Sequence, residues 1–393
     1  MIIILIIVIP VIIYLILDYH GPKNISLRPG NAFGFDCLKA KDLIIQEYDA
    51  NGNLWATRGM ILYQLKEGDN KFYKISHLPS GFSFYWLNNF RIIRRLTLNS
   101  ESIETTITKD GQIIALSAGY MWYSSKDRNK FKKTLKLTHY GIGIGRGFLS
   151  SGFLKVNDEF VFFGEYFCNS QKTQVRIFKS HKCDKTWNVA YEFQPGAIRH
   201  VHALQVDPYS GKLWICTGDN ESESMIGWSD DNFKTINFIG SGSPIWRSCK
   251  LVFTEESIYW GTDTGHEEFQ GVFRWDKETM ILTKLQKSNS AILFGTRLTA
   301  GTIVFSTSRG LFREENKLTS LIVINRNGTI SNIECGTWNY TNYRFRSSFA
   351  TLRFQRTQGN KSLAISVLNQ KEFSEGELLI FIEENLSELF SSF

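Results

Sequence analysis

One short apolar strand recurs along this chain, each copy ending in Gly, Thr, Ser or a charged residue. The copies are Leu54–Gly59 (LWATRG), Ile113–Gly119 (IIALSAG), Phe160–Tyr166 (FVFFGEY), Leu213–Asp219 (LWICTGD), Ile258–Thr264 (IYWGTDT), Ile303–Arg309 (IVFSTSR) and, more weakly, Leu363–Asn369 (LAISVLN). Their starts are separated by 59, 47, 53, 45, 45 and 60 residues. A four-stranded propeller blade takes roughly 40–50 residues plus loop insertions. The repeat therefore predicts an all-β fold, a β-propeller of seven blades, with six as the alternative if the first or last copy is not a true blade.

The residues around each copy fit that unit. Val201–Val206 precedes Leu213 across the turn Asp207-Pro-Tyr-Ser-Gly211, and Met225–Trp228 and Thr235–Ile239 follow it, giving four strands with turn chemistry between them. Aromatics make up 14% of the chain, which favours strands with large flat side chains to bury. Long helical periodicity is absent, and the best helix candidate is the tail at Glu383–Phe390. Because propellers must hide sheet edges, the strand Leu378–Ile382 is expected to close the ring by completing the first blade.

Residues 1–17 (MIIILIIVIPVIIYLIL) carry no charged side chain. As a helix they rise roughly 25 Å, slightly short of a hydrocarbon core of about 30 Å, and Pro10 kinks the middle. A cleaved signal peptide is the competing reading, but the run lacks a basic start and a small-x-small cleavage site. The expectation is one uncleaved N-terminal transmembrane helix, with the membrane contacted through residues 2–17 and the rest on the extracytoplasmic side. The division that follows is an anchor at 1–18, a juxtamembrane segment at 19–40, a propeller at 41–383 and a tail at 384–393. Six N-x-[ST] acceptors, at Asn24, Asn220, Asn327, Asn339, Asn360 and Asn385, are compatible with an exported glycoprotein. None of the six cysteines forms a C-x-x-C pair, which argues against a zinc knuckle, and Cys168 and Cys183 flank one hairpin.

The turns between third and fourth strands carry a more specific pattern. Ser229-Asp-Asp231-Asn-Phe-Lys-Thr235 places Ser and Asp side chains where they bond turn amides, and Ser180…Thr186-Trp187 and Ser125-Lys-Asp127 are poorer copies. With these turns the chain resembles the sialidase-like, Asp-box (BNR-repeat) β-propeller superfamily over roughly residues 40 to 380. The turn Gly of that pattern is missing in all three. The resemblance implies a carbohydrate-directed propeller in which the boxes themselves are structural. Phe90-Arg91-Ile92-Ile93 is similar to the Phe-Arg-Ile-Pro segment of sialidases without its Pro.

Chemistry in a propeller is expected where polar residues punctuate the strand ends at the channel mouth. Arg199-His200-Val201-His202 is the densest such cluster. Histidines at i and i+2 on a strand share a face, which suits sugar or carboxylate recognition, two ligands of one metal ion, or structural hydrogen bonds. Glu165 ends an apolar strand, where burial would raise its pKa and let it act as an acid. Its neighbour Tyr166 points to the other face, so the two cannot easily form a nucleophile pair. Asp219 and Asp263 close equivalent strands, either capping turns or reaching the mouth. Arg247, after Trp246, opens its repeat as Arg199 opens its own, and Arg58 and Arg309 end core strands. Converging arginines bind carboxylate or sulfate through bidentate contacts. The catalytic candidates are thus Glu165, His200, His202 and Asp219, and the substrate-binding candidates Arg199, Arg247, Trp246, Asp263, Arg58 and Arg309. No metal and no cofactor is assigned.

Other chemistries lack their signals. The net charge of +7 is spread along the chain, so no nucleic-acid partner is expected. Gly141-Ile-Gly-Ile-Gly145 is not followed by a helix pattern, and there is no nucleophile elbow. The expected function is a membrane-anchored propeller that binds or processes an anionic glycan, as a glycoside hydrolase with Glu165 or an Asp as acid, or as a uronate lyase using His and Arg. The alternative is a non-catalytic propeller that binds glycan or a protein partner.

Overall fold

The computed structural model describes residues 13, 15–80, 87, 89–90, 103–141, 144–181, 185–310, 317–339 and 349–383. Among them are seven antiparallel sheets of four or five strands and one of three. In chain order the first sheet holds Ile44–Tyr48, Leu54–Arg58, Ile61–Leu65 and Lys71–His77, with Asn24–Ser26 on its outer edge. The second runs from Glu104–Ile107 to Phe131–Lys136, the third from Phe153–Val156 to Trp187–Phe193, and the fourth from His200–Val206 to Asn237–Ser241. The fifth runs from Leu251–Phe253 to Leu282–Lys287 and the sixth from Ile292–Arg297 to Ile330–Thr337. The seventh holds Thr351–Phe354, Ser362–Leu368 and Glu377–Ile382, then Phe35–Ala40 and Arg28–Ala32. In each of the first six sheets four strands follow in chain order as an antiparallel meander; the first adds Asn24–Ser26 at its edge, and the third sends Tyr166–Phe167 to the three-stranded sheet. The seventh is built from both ends of the chain.

Every recurring apolar strand is the second strand of its sheet. These strands carry almost no solvent exposure, as the fully buried runs Leu213–Gly218 and Ile113–Ser117 show. A strand covered on both faces reads as a continuous apolar run, which is why the repeat is visible in the sequence.

The core is divided into wedges between consecutive sheets. Trp55 and Leu62 meet Ile107 and Ile113 between the first and second sheets. Phe162 meets Val201 and Leu213 between the third and fourth, and Trp214 meets Trp260 between the fourth and fifth. The last wedge joins Ala364 and Leu378 of the seventh sheet to Leu54 and Ile61 of the first. First strands touch around the ring as well, the seventh sheet's against the first sheet's. The arrangement is that of a β-propeller.

Closure differs from the sequence expectation. Glu377–Ile382 completes the seventh sheet, pairing Leu38 with Ile380 and Ala40 with Leu378, and does not join the first. The N-terminal strands close the ring because Phe35–Ala40 supplies the edge that Glu377–Ile382 would otherwise leave bare. No described helix is long and apolar enough to cross a membrane. Residues 15–20 are helical, and 1–12 and 14 of the predicted span lie outside the described residues. So do Arg91–Ile93, Cys183 and most of the C-terminal tail. Cys168 is a free, exposed thiol.

Ser229 Oγ bonds Asp231 Oδ1 at 2.8 Å and accepts the Phe233 N–H, and Asp231 accepts Thr235 N–H and Oγ1. Asn232 and Phe233 take positive φ where the Asp-box pattern has Gly. Fully buried Phe233 packs edge-on against Phe162, and that packing holds the strained turn.

Inside the ring, four charged side chains join three sheets. Arg353 NH2 lies 3.0 Å from both oxygens of Glu104, and Arg356 NH1 lies 2.9 Å from Glu104 Oε2. Arg356 NH2 also pairs with Glu47 Oε2 at 2.8 Å. All four are at least nine-tenths buried. Removing one partner of such a network leaves an uncompensated buried charge and costs about 3–5 kcal/mol. Glu104→Gln should therefore lower unfolding free energy by about 3 kcal/mol in denaturant titration, and a loss below about 1 kcal/mol would show that the network does not hold the ring.

Candidate functional site

The polar strand ends of the fourth and fifth sheets come together at one end of the channel. His200 opens the first strand of the fourth sheet and Asp219 follows the second. Arg247 and Cys249 precede the first strand of the fifth sheet, and Asp263 follows its second. The register slips between Val201 and Ala203, so His202 is the extra residue of a β-bulge, a device that re-aims a side chain. The two imidazoles stack with centroids 5.1 Å apart.

Both imidazoles turn toward one carboxylate. His200 Nε2 lies 3.2 Å from Asp219 Oδ2, and His202 Nε2 lies 3.4 Å from Asp219 Oδ1. Arg247 NH2 sits between two acids, 3.2 Å from Asp219 Oδ1 and 3.3 Å from Asp263 Oδ2, while its NH1 donates to Asp219 O at 2.6 Å. Arg199 NH1 stands 3.6 Å from Asp219 Oδ2 and is the most exposed member of the group. On the far side of His202, Nδ1 faces Cys249 Sγ at 3.7 Å, and that thiol donates to Asp263 Oδ2 at 3.5 Å.

Burial and charge set the protonation states. Burial alone would raise the Asp219 carboxyl, but hydrogen bonds from His200 and His202 override it and hold Asp219 well below the usual carboxylate range. Burial pulls the His202 pKa down against the pull of Asp219, so its imidazole is neutral at pH 7. Burial pushes the Cys249 thiol up, and Asp263 adds to it, which keeps the thiol protonated. Arg247 loses by burial but gains more from Asp263 and Asp219, and its pKa rises.

His200, His202 and Asp219 bring one ligand atom each to within 4.8 Å of one another, close enough to share a metal ion. Ligand atoms about 2.1 Å from a common ion lie about 3–3.4 Å from one another, and the two imidazole nitrogens meet Asp219 at that spacing. His202, Cys249 and Asp263 form a second possible ligand set, sharing His202 with the first.

Several residues not among the sequence candidates also build the site. Tyr166 lies tilted against His200 with centroids 4.0 Å apart, and burial followed by Asp219 pushes its phenol up. Tyr166–Phe167 belongs to the three-stranded sheet with Tyr140–Gly141 and Gly145–Gly147, and Phe167 O faces His200 Nδ1 at 3.3 Å. Buried Glu223 binds Lys172 Nζ at 2.7 Å and accepts the Arg199 N–H at 3.3 Å. Asn169 holds the Arg199 carbonyl at 2.9 Å. These contacts join residues far apart in sequence, so no local motif marks them.

Other expected residues stand apart. Glu165 points away from Tyr166, as the strand alternation requires. It accepts the Arg176 N–H at 2.9 Å and stands 4.0 Å from His139 Nε2. Burial raises its pKa to about 7, against the Arg176 N–H. Arg58 pairs with Asp18 at 2.6 Å and Asp42 at 3.0 Å. Arg309 is buried and donates to the carbonyls of Leu318 and Asn289. Trp246 stacks on Trp260 in the wedge between the fourth and fifth sheets. The strand ends do lie at the same end of their sheets, but the ring spreads them around its circumference.

No family model matches the chain, and no curated protein matches it. Among solved structures it is similar to an oligogalacturonate lyase in complex with manganese, at 9% identity over 93% of this chain and 99% of that one, with a TM-score of 0.59. It is also similar to a chain of a mitotic checkpoint complex, at 10% identity over 90% of this chain and 94% of that one, with a TM-score of 0.51. At such identities the likeness shows the fold alone.

Gly218 lets the two halves of the site approach. A Cβ there would lie 2.9 Å from both Arg247 Cγ and His202 Cε1. Gly218→Ala should displace these side chains and weaken binding of any site ligand at least tenfold while changing Tm little, checked by calorimetric titration beside thermal unfolding. Glu165 yields a second expectation. Its folded-state pKa lies above that of an ordinary Glu, so the folded state holds the extra proton and stability falls as pH rises from about 4.5 to about 7. Glu165→Gln should be more stable than wild type at pH 8, by up to roughly 3 kcal/mol, and the difference should vanish near pH 4, as followed by denaturant unfolding across pH.

Proposed function

We propose that the seven sheets are the blades of a carbohydrate-processing propeller. On this reading its channel mouth acts on a carboxylate-bearing glycan, and His200, His202 and Asp219 hold a divalent cation there. The observation that carries this reading is the convergence of His200 Nε2 and His202 Nε2 on Asp219 beside two arginines. The fold shared with an oligogalacturonate lyase in complex with manganese supports it. The Asp231 turn supports kinship with Asp-box propellers, and the apolar run at residues 1–17 supports tethering to a membrane.

Elimination suits these residues better than hydrolysis. Hydrolysis needs a protonated carboxyl acting with a second carboxylate across the scissile bond. Asp219 is held ionised, and Glu165, the carboxyl that burial does raise, stands with His139 and Arg176. Arg199, partly exposed and with a buried Nε lacking a partner among the described residues, is the group that receives a substrate carboxylate. Arg247 fixes Asp219 and Asp263 in register. Tyr166 keeps its proton at neutral pH and can deliver it to the departing oxygen. A bound cation would polarise the carboxylate and acidify the neighbouring C–H; that proton passes to solvent as the C–O bond breaks, while Tyr166 protonates the departing oxygen.

The test incubates purified protein with oligogalacturonate and other uronate oligosaccharides, with manganese or after chelation, and follows unsaturated products by ultraviolet absorbance. Turnover that needs the metal and falls at least 100-fold in His202→Ala supports the reading. Metal binding without turnover on any uronate would make the propeller a binder, and no metal binding in calorimetry would remove the cation from the site.

A further inference from the structure

A cavity of about 270 Å³ lies apart from the mouth site. Its walls come from the first three sheets and from the fourth, fifth and seventh, including Glu47, Thr106, Ser151, Gln205, Lys250 and Arg356. It does not include His200, His202, Asp219 or Arg247, and the Glu104–Arg353 pair lines a separate cavity of about 100 Å³ that includes Cys249. Two successive residues before the first strand of the fifth sheet mark this split. Cys249 faces His202 in the mouth, while Lys250, the next residue, faces inward to Arg356.

Lys250 is a buried cation with no carboxylate partner among the described residues. The residue is 7% exposed. Its ammonium donates to Arg356 O at 2.8 Å, which leaves further N–H donors unused, and no described carboxylate pairs with it. The other charges at the cavity are already matched. Arg356 is bound by Glu47 and Glu104, and Lys155 stands 3.7 Å from Asp158 and donates to Ile107 O. The channel therefore holds Lys250, Arg353 and Arg356 against two carboxylates, Glu47 and Glu104. A buried charge left unpaired either loses its proton or acquires a counter-ion.

We propose that this cavity is a binding site for a small oxyanion, a phosphate or a short carboxylate, that pairs with Lys250 and completes the charge balance inside the ring. The volume accommodates such an ion with its remaining waters. The bound ion would join the fifth sheet, which carries Lys250, to the seventh, which carries Arg356, and so stabilise the closed ring by mass action. The site is independent of the cation and the glycan at the mouth.

The experiment measures thermal unfolding and calorimetric binding of the full chain with inorganic phosphate, with succinate and with chloride at matched ionic strength. Phosphate or succinate should raise Tm in a saturable way that chloride does not reproduce, and the more effective of the two names the class of ion. Lys250→Met should fold with a Tm at or above that of wild type in anion-free buffer, because it removes an unpaired buried charge, and should lose the anion response at least tenfold in affinity. Arg199→Ala, at the mouth, should keep the response. An unchanged anion response in Lys250→Met, or equal Tm shifts with chloride, would overturn the proposal. If Lys250→Met does not fold, saturable binding by wild type that weakens at least tenfold in Lys250→Gln supports the site, and absence of wild-type binding refutes it.

Discussion

Two arginines of the seventh sheet, Arg353 and Arg356, bind carboxylates of the first and second sheets inside the ring. A propeller closes only if its last sheet meets its first, and apolar packing alone is weakly selective about where that contact forms. Buried ion pairs are poor contributors to net stability, yet a misplaced charge in a low-dielectric channel is expensive. The Glu47, Glu104, Arg353 and Arg356 network thus acts on register. It penalises any arrangement in which the seventh sheet does not sit beside the first two. The pairing of Phe35–Ala40 with Glu377–Ile382 performs the same task on the outer side of that sheet with backbone hydrogen bonds.

Once the ring is closed, the mouth site follows from geometry. Second strands end, and first strands begin, at one end of every sheet. The fourth and fifth sheets are neighbours, so Asp219 and Asp263 meet Arg247 there, and a bulge at His202 turns its ring beside that of His200. The low pKa of Asp219 and the neutral His202 are consequences of this crowding. A half-buried carboxylate is kept ionised by the donors around it, and a buried imidazole is kept neutral by lack of water. Lys250, one residue from Cys249, brings charge to the separate cavity.

Much of this was legible because buried second strands leave an apolar signature that burial on both faces demands. All seven copies read from the sequence are second strands, although uneven insertions make their spacing irregular. His200, His202, Asp219, Arg199 and Arg247 were legible as polar punctuation at strand ends. Glu165, Arg58 and Arg309 share that punctuation, yet they sit on other sheets and find other partners. Glu47, Glu104, Arg353, Arg356 and Lys250 carry no local signature, since a charged residue facing a channel reads like one facing water.

By itself the sequence determined the strand period, the turn chemistry and the set of polar strand ends, because these depend on residues a few positions apart. Only the tertiary structure decided which strand ends share a pocket, which end of the chain closes the ring and which charges lie inside it. Those outcomes rest on contacts such as Arg353 with Glu104, separated by 249 positions in the chain, where the energy depends on distance and dielectric rather than on sequence neighbours.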